Sequence, residues 1–457
     1  MLYSAVESRC CLAFRIHFAN QPQLSTQEFV SLERTKMKAL RALTLACVVF
    51  LVGLGIVSAQ TLTKTTNQPT WTASIASTQS HALTGIVKSY PAHDLPVTGD
   101  RNKTAKMFPQ LVANPIPLWT YNVTGYDGNP YSGTIIGLSP YNHGKTTTTI
   151  PTQLIPLVIT ITDSNGTVIY DPTAADPCVP GHTGIDIIAN SPIFTDTSWT
   201  MNGVDAGTTQ YEDADVRTEF WSLVGGTPYH LALQEATLSS QALSFGTGAK
   251  YPGSNFPVSE TNACEEIGVV NVNNMITAVE ALITGPLAGT VNIGTNPLFL
   301  TKNVVMADPG TNLFANCCIL GFHDAIRVGP NLQLFSPFEV DTAQAFGPGF
   351  TDVIAHEVGE GIHDPDGSNP TPPWGNEGQT VGTCQDNFEV GDPLSIGFGT
   401  PSNEWVLTGA NGLTYDLQEL AFFNWFYGNP NLAESGHYSN HGTFTGYAIA
   451  CPPGGTN

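Results

Sequence analysis

Runs of β-branched and aromatic residues dominate the pattern of apolar and polar positions between residues 116 and 190. They predict strands at residues 118–123, 134–138, 155–162 and 167–170. Asn165-Gly166 lies between the last two runs and predicts a hairpin, because this pair adopts the tight turn that joins antiparallel strands. We therefore expect residues 116–190 to form a small β-rich domain.

Apolar residues three and four positions apart follow from residue 191 and predict helices. The clearest helix is expected at residues 272–283, which Asn271 can cap and Gly285 can end. A second helix is expected over residues 208–223. Each would pack its apolar face against the core.

The C-terminal half mixes further strands and helices. Residues 298–306 and 317–323 predict strands. Residues 416–426 predict a helix whose first and fourth residues can form a capping box. Residues 191–457 are therefore expected to form one α+β domain.

One further helix, predicted between Gly349 and Pro365, carries polar residues that suggest chemistry. At about 100° per residue, its His356, Glu360 and His363 fall within roughly 60° of one another. The opposite face collects apolar residues, namely Phe350, Ile354, Val358 and Ile362. Because side chains four residues apart meet on one face, His356 and Glu360 can hold a single metal ion.

Glu357 follows the first predicted ligand and points about 100° around the helix. There its carboxylate can reach a water at the metal, so Glu357 is a candidate general base. The arrangement is that of the zincin helix, His-Glu-x-x-His, with Glu360 in place of the second histidine. Gly359 and Gly361 each cost about 1 kcal/mol in a helix interior and indicate that another group passes close. The alternative makes both glutamates solvated carboxylates on an exposed face.

Three other residues are ambiguous. His363 can bind the metal, but Pro365 disfavours helix just before it, so we prefer a cationic His363 at the helix C-terminus. His323 can border the cleft, although an ordinary strand histidine is the preferred interpretation. Tyr438, near the C-terminus, is a candidate for polarising a substrate carbonyl.

The wider motif resembles one found in zincin-like secreted proteins, which include the Exordium (phosphate-induced) family. It consists of His356-Glu357-x-x-Glu360, Asp364-Pro365, Trp374 and Glu389-Val-Gly-Asp392. This resemblance covers only residues 356–392, and it implies a zincin-like catalytic domain over residues 191–457.

The same resemblance implies that the third metal ligand is acidic and is either Glu389 or Asp392. Two features depart from the family pattern. His363 stands where a threonine is expected, and Cys384 precedes the Glu-Val-Gly-Asp element instead of following it.

A targeting pattern begins at Met37. Two basic residues and an apolar run follow it, and Ala59 completes a small-residue cleavage site, which predicts a signal peptide over residues 37–59. The alternatives are a membrane anchor, for which the run is short, and a lipoprotein signal at Cys47, which lacks a good lipobox. Cleavage would leave a secreted protein with no stable membrane insertion.

The segments on either side of the signal peptide have no clear periodicity. Residues 1–36 are expected to be a non-native upstream extension, because translation can start at Met37. Residues 60–115 are rich in Thr, Ser and Pro and predict a poorly ordered arm.

The charge balance is strongly acidic, with 38 Asp and Glu against 16 Lys and Arg and a net charge of −22. Removing residues 1–59 would bring the net charge to −25. A chain of this charge repels polyanions, so nucleic acid and anionic membranes are not expected partners.

Six cysteines follow the predicted cleavage site: Cys178, Cys264, Cys317, Cys318, Cys384 and Cys451. Their spacings match no zinc knuckle, and an even number in a secreted chain predicts disulfides. We expect the adjacent Cys317 and Cys318 to bond to two different partners.

Together these patterns predict a secreted zincin-like metallohydrolase, a peptidase acting on peptides or proteins with Glu357 as base. Zinc is the expected metal, and calcium or manganese is the alternative because carboxylates outnumber imidazoles. The competing hypothesis is a non-catalytic extracellular or cell-surface protein with a structural or relic metal site.

Overall fold

The computed structural model divides the chain into two compact units, Met1–Ala59 and Gln60–Asn457. The residues that it describes are 61–62, 71–73, 114–141, 147–201, 204–224, 227–246, 258–261, 264–310, 313, 317–346, 349–375, 385–395, 404–409, 411–428, 437–441 and 449–450. The predicted upstream extension and signal peptide lie outside these residues. So does most of the predicted arm, although two short strands fall within it.

The described residues form 22 strands, six α-helices and a 3-10 helix at Asp392–Leu394. The strands are β1 (Thr61–Leu62), β2 (Trp71–Ala73), β3 (Leu118–Thr124), β4 (Pro130–Ile136), β5 (Thr148–Thr162), β6 (Thr167–Tyr170), β7 (Thr197–Met201), β8 (Val204–Thr209), β9 (Leu231–Thr237), β10 (Gln241–Gly246), β11 (Val258–Thr261), β12 (Glu266–Asn271), β13 (Asn296–Lys302), β14 (Val304–Ala307), β15 (Cys317–Ile319), β16 (Asp324–Val328), β17 (Asn331–Val340), β18 (Pro370–Gly375), β19 (Gln385–Asn387), β20 (Glu404–Thr408), β21 (Thr414–Gln418) and β22 (Ile449–Ala450). The helices are α1 (Gly184–Ala189), α2 (Tyr211–Glu219), α3 (Trp221–Val224), α4 (Val272–Thr284), α5 (Asp352–His363) and α6 (Phe423–Tyr427). The protein is therefore a strand-rich α+β protein, as expected at that level.

The largest sheet is built around strand β5. Its order is β10-β5-β13-β17-β16, and β6 and β9 also pair with β5. Strand β5 runs parallel to β9, β10 and β13. Because β5 belongs to the predicted β-rich domain while these three partners belong to the predicted α+β domain, the two segments share one sheet. Strand pairing therefore connects the two predicted segments across residue 190.

Several predicted elements are present with shifted ends. Helix α4 is capped as expected, with the Asn271 side chain accepting from the N–H groups of Asn273 and Asn274. The hairpin at Asn165-Gly166 joins β5 and β6. The strand expected at 298–306 is interrupted at Asn303, whose φ of 53° ends β13 before β14 begins.

The helix predicted over residues 416–426 was largely wrong. Its first residues belong to β21, which pairs antiparallel with β20, and only Phe423–Tyr427 is helical. Strand β21 is buried on both faces. A strand without an exposed face lacks the polar and apolar alternation that separates strand from helix in a sequence.

Helix α5, which was predicted to carry the site, lies in the interior. It packs against β4, β17, β21 and α2, and every residue except Gly361 is buried. The alternative that placed Glu357 and Glu360 on an exposed face was therefore wrong.

The cysteines follow the prediction in part. Cys178 and Cys264 form a disulfide, whereas Cys317 and Cys318 are joined to each other and not to two different partners. Cys384 and Cys451 lie outside the described residues. Among the described helices, none has the length and apolar character needed to cross a bilayer.

Candidate metal centre

Helix α5 brings two of the predicted ligands together on successive turns. His356 Nε2 lies 3.0 Å from Glu360 Oε1, and both side chains are 0% exposed. The neighbouring Glu357 is also fully buried. The helical spacing recognised in the sequence therefore produces the expected pair.

The 3-10 helix that follows β19 supplies a third carboxylate to this pair. Asp392 Oδ1 lies 3.8 Å from His356 Nε2. His356, Glu360 and Asp392 each offer a ligand atom, and these atoms lie within 4.8 Å of one another. Glu389, the other predicted third ligand, does not belong to this group.

Glu389 instead meets His323, which lies between β15 and β16. His323 Nε2 is 3.8 Å from Glu389 Oε2, and His323 Nδ1 is 3.5 Å from Glu360 Oε2. His323, Glu360 and Glu389 form a second group of potential ligands within 4.8 Å. The interpretation of His323 as an ordinary strand histidine was wrong, and no spacing motif connects it to helix α5.

Two amide side chains and a backbone group orient the first set of residues. His356 Nδ1 donates to Gln418 Oε1 at 2.9 Å, because an amide oxygen can only accept. Gln418 in turn donates from Nε2 to the Gly391 carbonyl, and the Gly391 N–H donates to Glu360 Oε1. Gln385 Nε2 donates to Asp392 Oδ2 at 2.7 Å. This leaves His356 Nε2 as the ring nitrogen that faces the carboxylates.

The tryptophan of the motif supports the second set. Trp374 Nε1 donates to the Asn387 carbonyl at 2.9 Å, and Asn387 Nδ2 donates to Glu389 Oε1 at 2.5 Å. Trp374 is itself held by edge-to-face contacts with Trp425 and Phe426. The buried ring therefore fixes the loop from which Glu389 projects.

Many polar atoms of the cluster have no hydrogen-bond partner although they are buried. They are both nitrogens of His323, both carboxylate oxygens of Glu357, Glu360 Oε2 and Glu389 Oε2. Buried polar atoms in proteins normally have a partner, and an unmatched carboxylate is especially costly. A cation between these atoms would satisfy them, and their nitrogen and oxygen donors fit a divalent metal.

Burial and mutual charge shift the pKa values of the acidic groups. Burial raises the pKa of Glu357 to about 7, and burial together with Glu360 raises that of Asp392 to about 7. Burial also raises the pKa of Glu389 well above its usual range. The pKa of Glu360 is lowered, because His356 and His323 outweigh its burial.

The pKa values of the two imidazoles are also raised, because the nearby carboxylates outweigh burial. Burial alone would lower the pKa of His356, but Glu360 outweighs it and raises the pKa to about 9. The pKa of His323 is raised in the same way, chiefly by Glu389. Metal binding therefore has to displace protons from this cluster.

A small cavity reaches the cluster beside Glu357. Its lining includes His323, Glu357, Ser336 and Asn296. The volume open to the centre of a water molecule is about 10 Å³, which is room for about one water.

His363 lies apart from both ligand groups. Its Nδ1 donates to the Gly359 carbonyl at 2.6 Å, and its Nε2 contacts Glu219 on helix α2. Burial lowers the pKa of His363 to about 4, which disfavours the cation predicted at the helix end.

The remaining predicted residues are Tyr438 and the two helix glycines. Tyr438 is buried, its carbonyl accepts from the Phe422 N–H, and it belongs to neither ligand group. Its catalytic role stays a prediction. A Cβ on Gly359 would lie 2.5 Å from Leu420 Cδ1, whereas one on Gly361 would meet nothing closer than 3.7 Å. A close neighbour therefore explains Gly359 but not Gly361.

Comparisons with protein-family models, curated proteins and solved structures find no match to this chain. The resemblance to zincin-like secreted proteins and the Exordium family therefore depends on the motif residues alone.

Proposed function

We propose that this protein is a secreted, metal-dependent hydrolase of the zincin-like type that cleaves peptides or proteins. One observation carries the proposal. His356 and Glu360 on helix α5 meet Asp392 at a common point, while the adjacent Glu357 keeps both carboxylate oxygens free of hydrogen bonds. This arrangement combines a metal-binding set with a separate basic group.

His356, Glu360 and Asp392 would hold the metal. One imidazole and two carboxylates suit zinc, and the same set also accepts manganese or calcium. When bound, such an ion would supply Lewis-acid chemistry, lowering the pKa of a nearby water and polarising a carbonyl. Gln418 would hold the His356 ring in the orientation that this requires.

Glu357 is the residue that moves the proton. Burial raises the pKa of its carboxyl group, which makes the ionised form a stronger base. The cavity beside Glu357 has room for about one water. The Glu357 carboxylate would take a proton from that water and deliver it to the nitrogen of the departing amine.

The substitution Glu357→Gln tests this role, because it preserves shape and removes the basic group. We expect the purified variant to keep its bound metal and to lose cleavage of casein or a peptide library by about a hundredfold or more. Glu280→Gln, on helix α4, is the control and should retain activity. Full activity in Glu357→Gln would overturn the assignment.

A second candidate is a non-catalytic extracellular protein with a structural metal. The burial of the cluster favours it, since His356, Glu357, Glu360 and Glu389 are 0% exposed and the adjoining cavity admits about one water. Under this hypothesis the wild-type protein binds metal but cleaves no member of a broad peptide library. Metal-dependent cleavage by the wild type would exclude it.

A further inference from the structure

Glu360 belongs to both groups of potential ligands, and its two oxygens face different neighbours. Oε1 lies 3.0 Å from His356 Nε2, on the side of Asp392. Oε2 lies 3.5 Å from His323 Nδ1, on the side of Glu389. A carboxylate divided in this way is suited to bridge two cations.

We propose that the centre holds two divalent metal ions bridged by Glu360. His356 and Asp392 complete the first site, as in the proposed function on which this inference rests. His323 and Glu389 complete the second site, which neither the sequence motif nor the zincin-like hypothesis contains. Carboxylate-bridged pairs in hydrolytic enzymes have their ions about 3.5–4 Å apart.

The unmatched atoms support an ion on the His323 side. Both His323 nitrogens, Glu360 Oε2 and Glu389 Oε2 are buried and have no hydrogen-bond partner. His323 is 2% exposed, and Glu360 and Glu389 are 0% exposed. Hydrogen bonding within the protein therefore does not account for this second group, and coordination would.

The charge of the cluster points the same way. Glu357, Glu360, Glu389 and Asp392 place four carboxylates around two imidazoles. Coordination by His323 and His356 requires their neutral forms, so one divalent ion balances only two carboxylates. A second divalent ion balances all four.

A protonated His323 is the competing explanation, because it could neutralise the neighbouring carboxylates without any ion. The two explanations differ in what they predict for metal content. A bridged pair requires His323 to be a ligand, whereas a counter-charge needs only its proton. Removing the His323 ring therefore changes the number of ions only under the proposal.

The first measurement is the metal content of the full secreted chain, loaded with manganese, desalted and analysed by mass spectrometry. We expect two ions per chain in the wild type. His323→Gln and Glu389→Gln should each reduce this to one, and the control His182→Gln should keep two. His182 is partly exposed and pairs with Asp186 away from the centre.

The second measurement is electron paramagnetic resonance of the manganese-loaded wild type. It should give the spectrum of an exchange-coupled ion pair, and it needs no variant to fold. His323→Gln should give the spectrum of a single ion.

Each outcome has a distinct meaning. One uncoupled ion per wild-type chain would overturn the two-ion proposal and leave the proposed hydrolase intact. No bound ion would overturn both. Two ions that persist in both folded variants would exclude His323 and Glu389 as ligands.

Discussion

Gly391 lies against the imidazole of His356, and this contact shows how closely the loop is fitted to the helix. A Cβ at this position would lie 2.5 Å from His356 Nδ1 and 2.6 Å from Cε1. An alanine at this position would therefore force either the Gly391 backbone or the His356 ring to shift. The ring would therefore lose its bond to Gln418 and its position beside Glu360.

Gly391→Ala should accordingly weaken metal binding by about tenfold to a hundredfold, the usual cost of disturbing the support of a ligand. Metal affinity measured by competition with a chelating dye checks this. Gly246→Ala is the control, because its Cβ would make only ordinary contacts of 3.5 Å with Thr162. Equal affinities in the two variants would contradict the structural account.

At this scale the sequence predicted part of the site. His356, Glu357 and Glu360 could be found because a helix turn relates them, and Asp392 because a motif resemblance indicated it. His323 could not be assigned to the site, because its approach to Glu360 depends on tertiary packing between segments that are distant in the sequence. Gln418 was not predicted to contact His356, because its segment was predicted to be helical and is instead part of strand β21.

Helix α5 is the element on which the site depends, and its two glycines make different contacts. A side chain on Gly359 would collide with Leu420, while one on Gly361 would meet only His323 Cβ at 3.7 Å. Glycine in a helix interior costs about 1 kcal/mol relative to alanine. The two positions should therefore respond oppositely to the same substitution.

We expect Gly359→Ala to lower the free energy of unfolding by about 1–3 kcal/mol through overpacking. Gly361→Ala should raise it by about 1 kcal/mol, because it gains helix propensity without a clash. Urea denaturation of the two variants gives both values. Destabilisation of similar size at both positions would show that a close neighbour exists at Gly361 as well.

Whether another element was predicted correctly depended on whether only one of its faces is buried. Helix α4 was found because it has a capping residue and an apolar stripe, and β6 because a tight turn precedes it. The segment now known as β21 was missed, because both of its faces are buried and its pairing with β20 is not encoded locally.

For the molecule as a whole, the number of buried acidic groups controls how stability depends on pH. Burial raises the pKa of Asp416 to about 7, and burial together with Asp416 raises that of Asp352 to about 7, against 3.8 for an unperturbed aspartate. Between about pH 4 and pH 7, the folded chain therefore binds more protons at these two residues than the unfolded chain does. The free energy of unfolding therefore falls as pH rises from about 4 through about 7.

Thermal unfolding of the metal-free protein should show this as a Tm that is higher at about pH 4 than at about pH 8. Asp416→Asn should raise the stability at the higher pH by a few kcal/mol, at about 1.4 kcal/mol per unit of pKa shift, and change little at the lower pH. Asp196→Asn, at an exposed position, is the control. A Tm that rises with pH would contradict the assignment.

The strand-rich α+β character of the described residues was predictable from composition and periodicity, whereas the strand pairing across residue 190 was not. The spacing of apolar residues does change there, from strand-like runs to helical periodicity. Pairing across that point is decided by the buried faces of β5 and β13, which no local pattern connects.

The position of β5 also has a consequence for how the protein folds. This strand is made early in the chain, but its neighbours β9, β10 and β13 follow much later, separated from it by helices and a hairpin. Strand pairs that are distant in the sequence form slowly, because bringing them together costs the conformational entropy of the chain between them. Until β9, β10 and β13 are in place, this long apolar strand is prone to associate with other chains, so refolding yield should fall steeply as protein concentration increases.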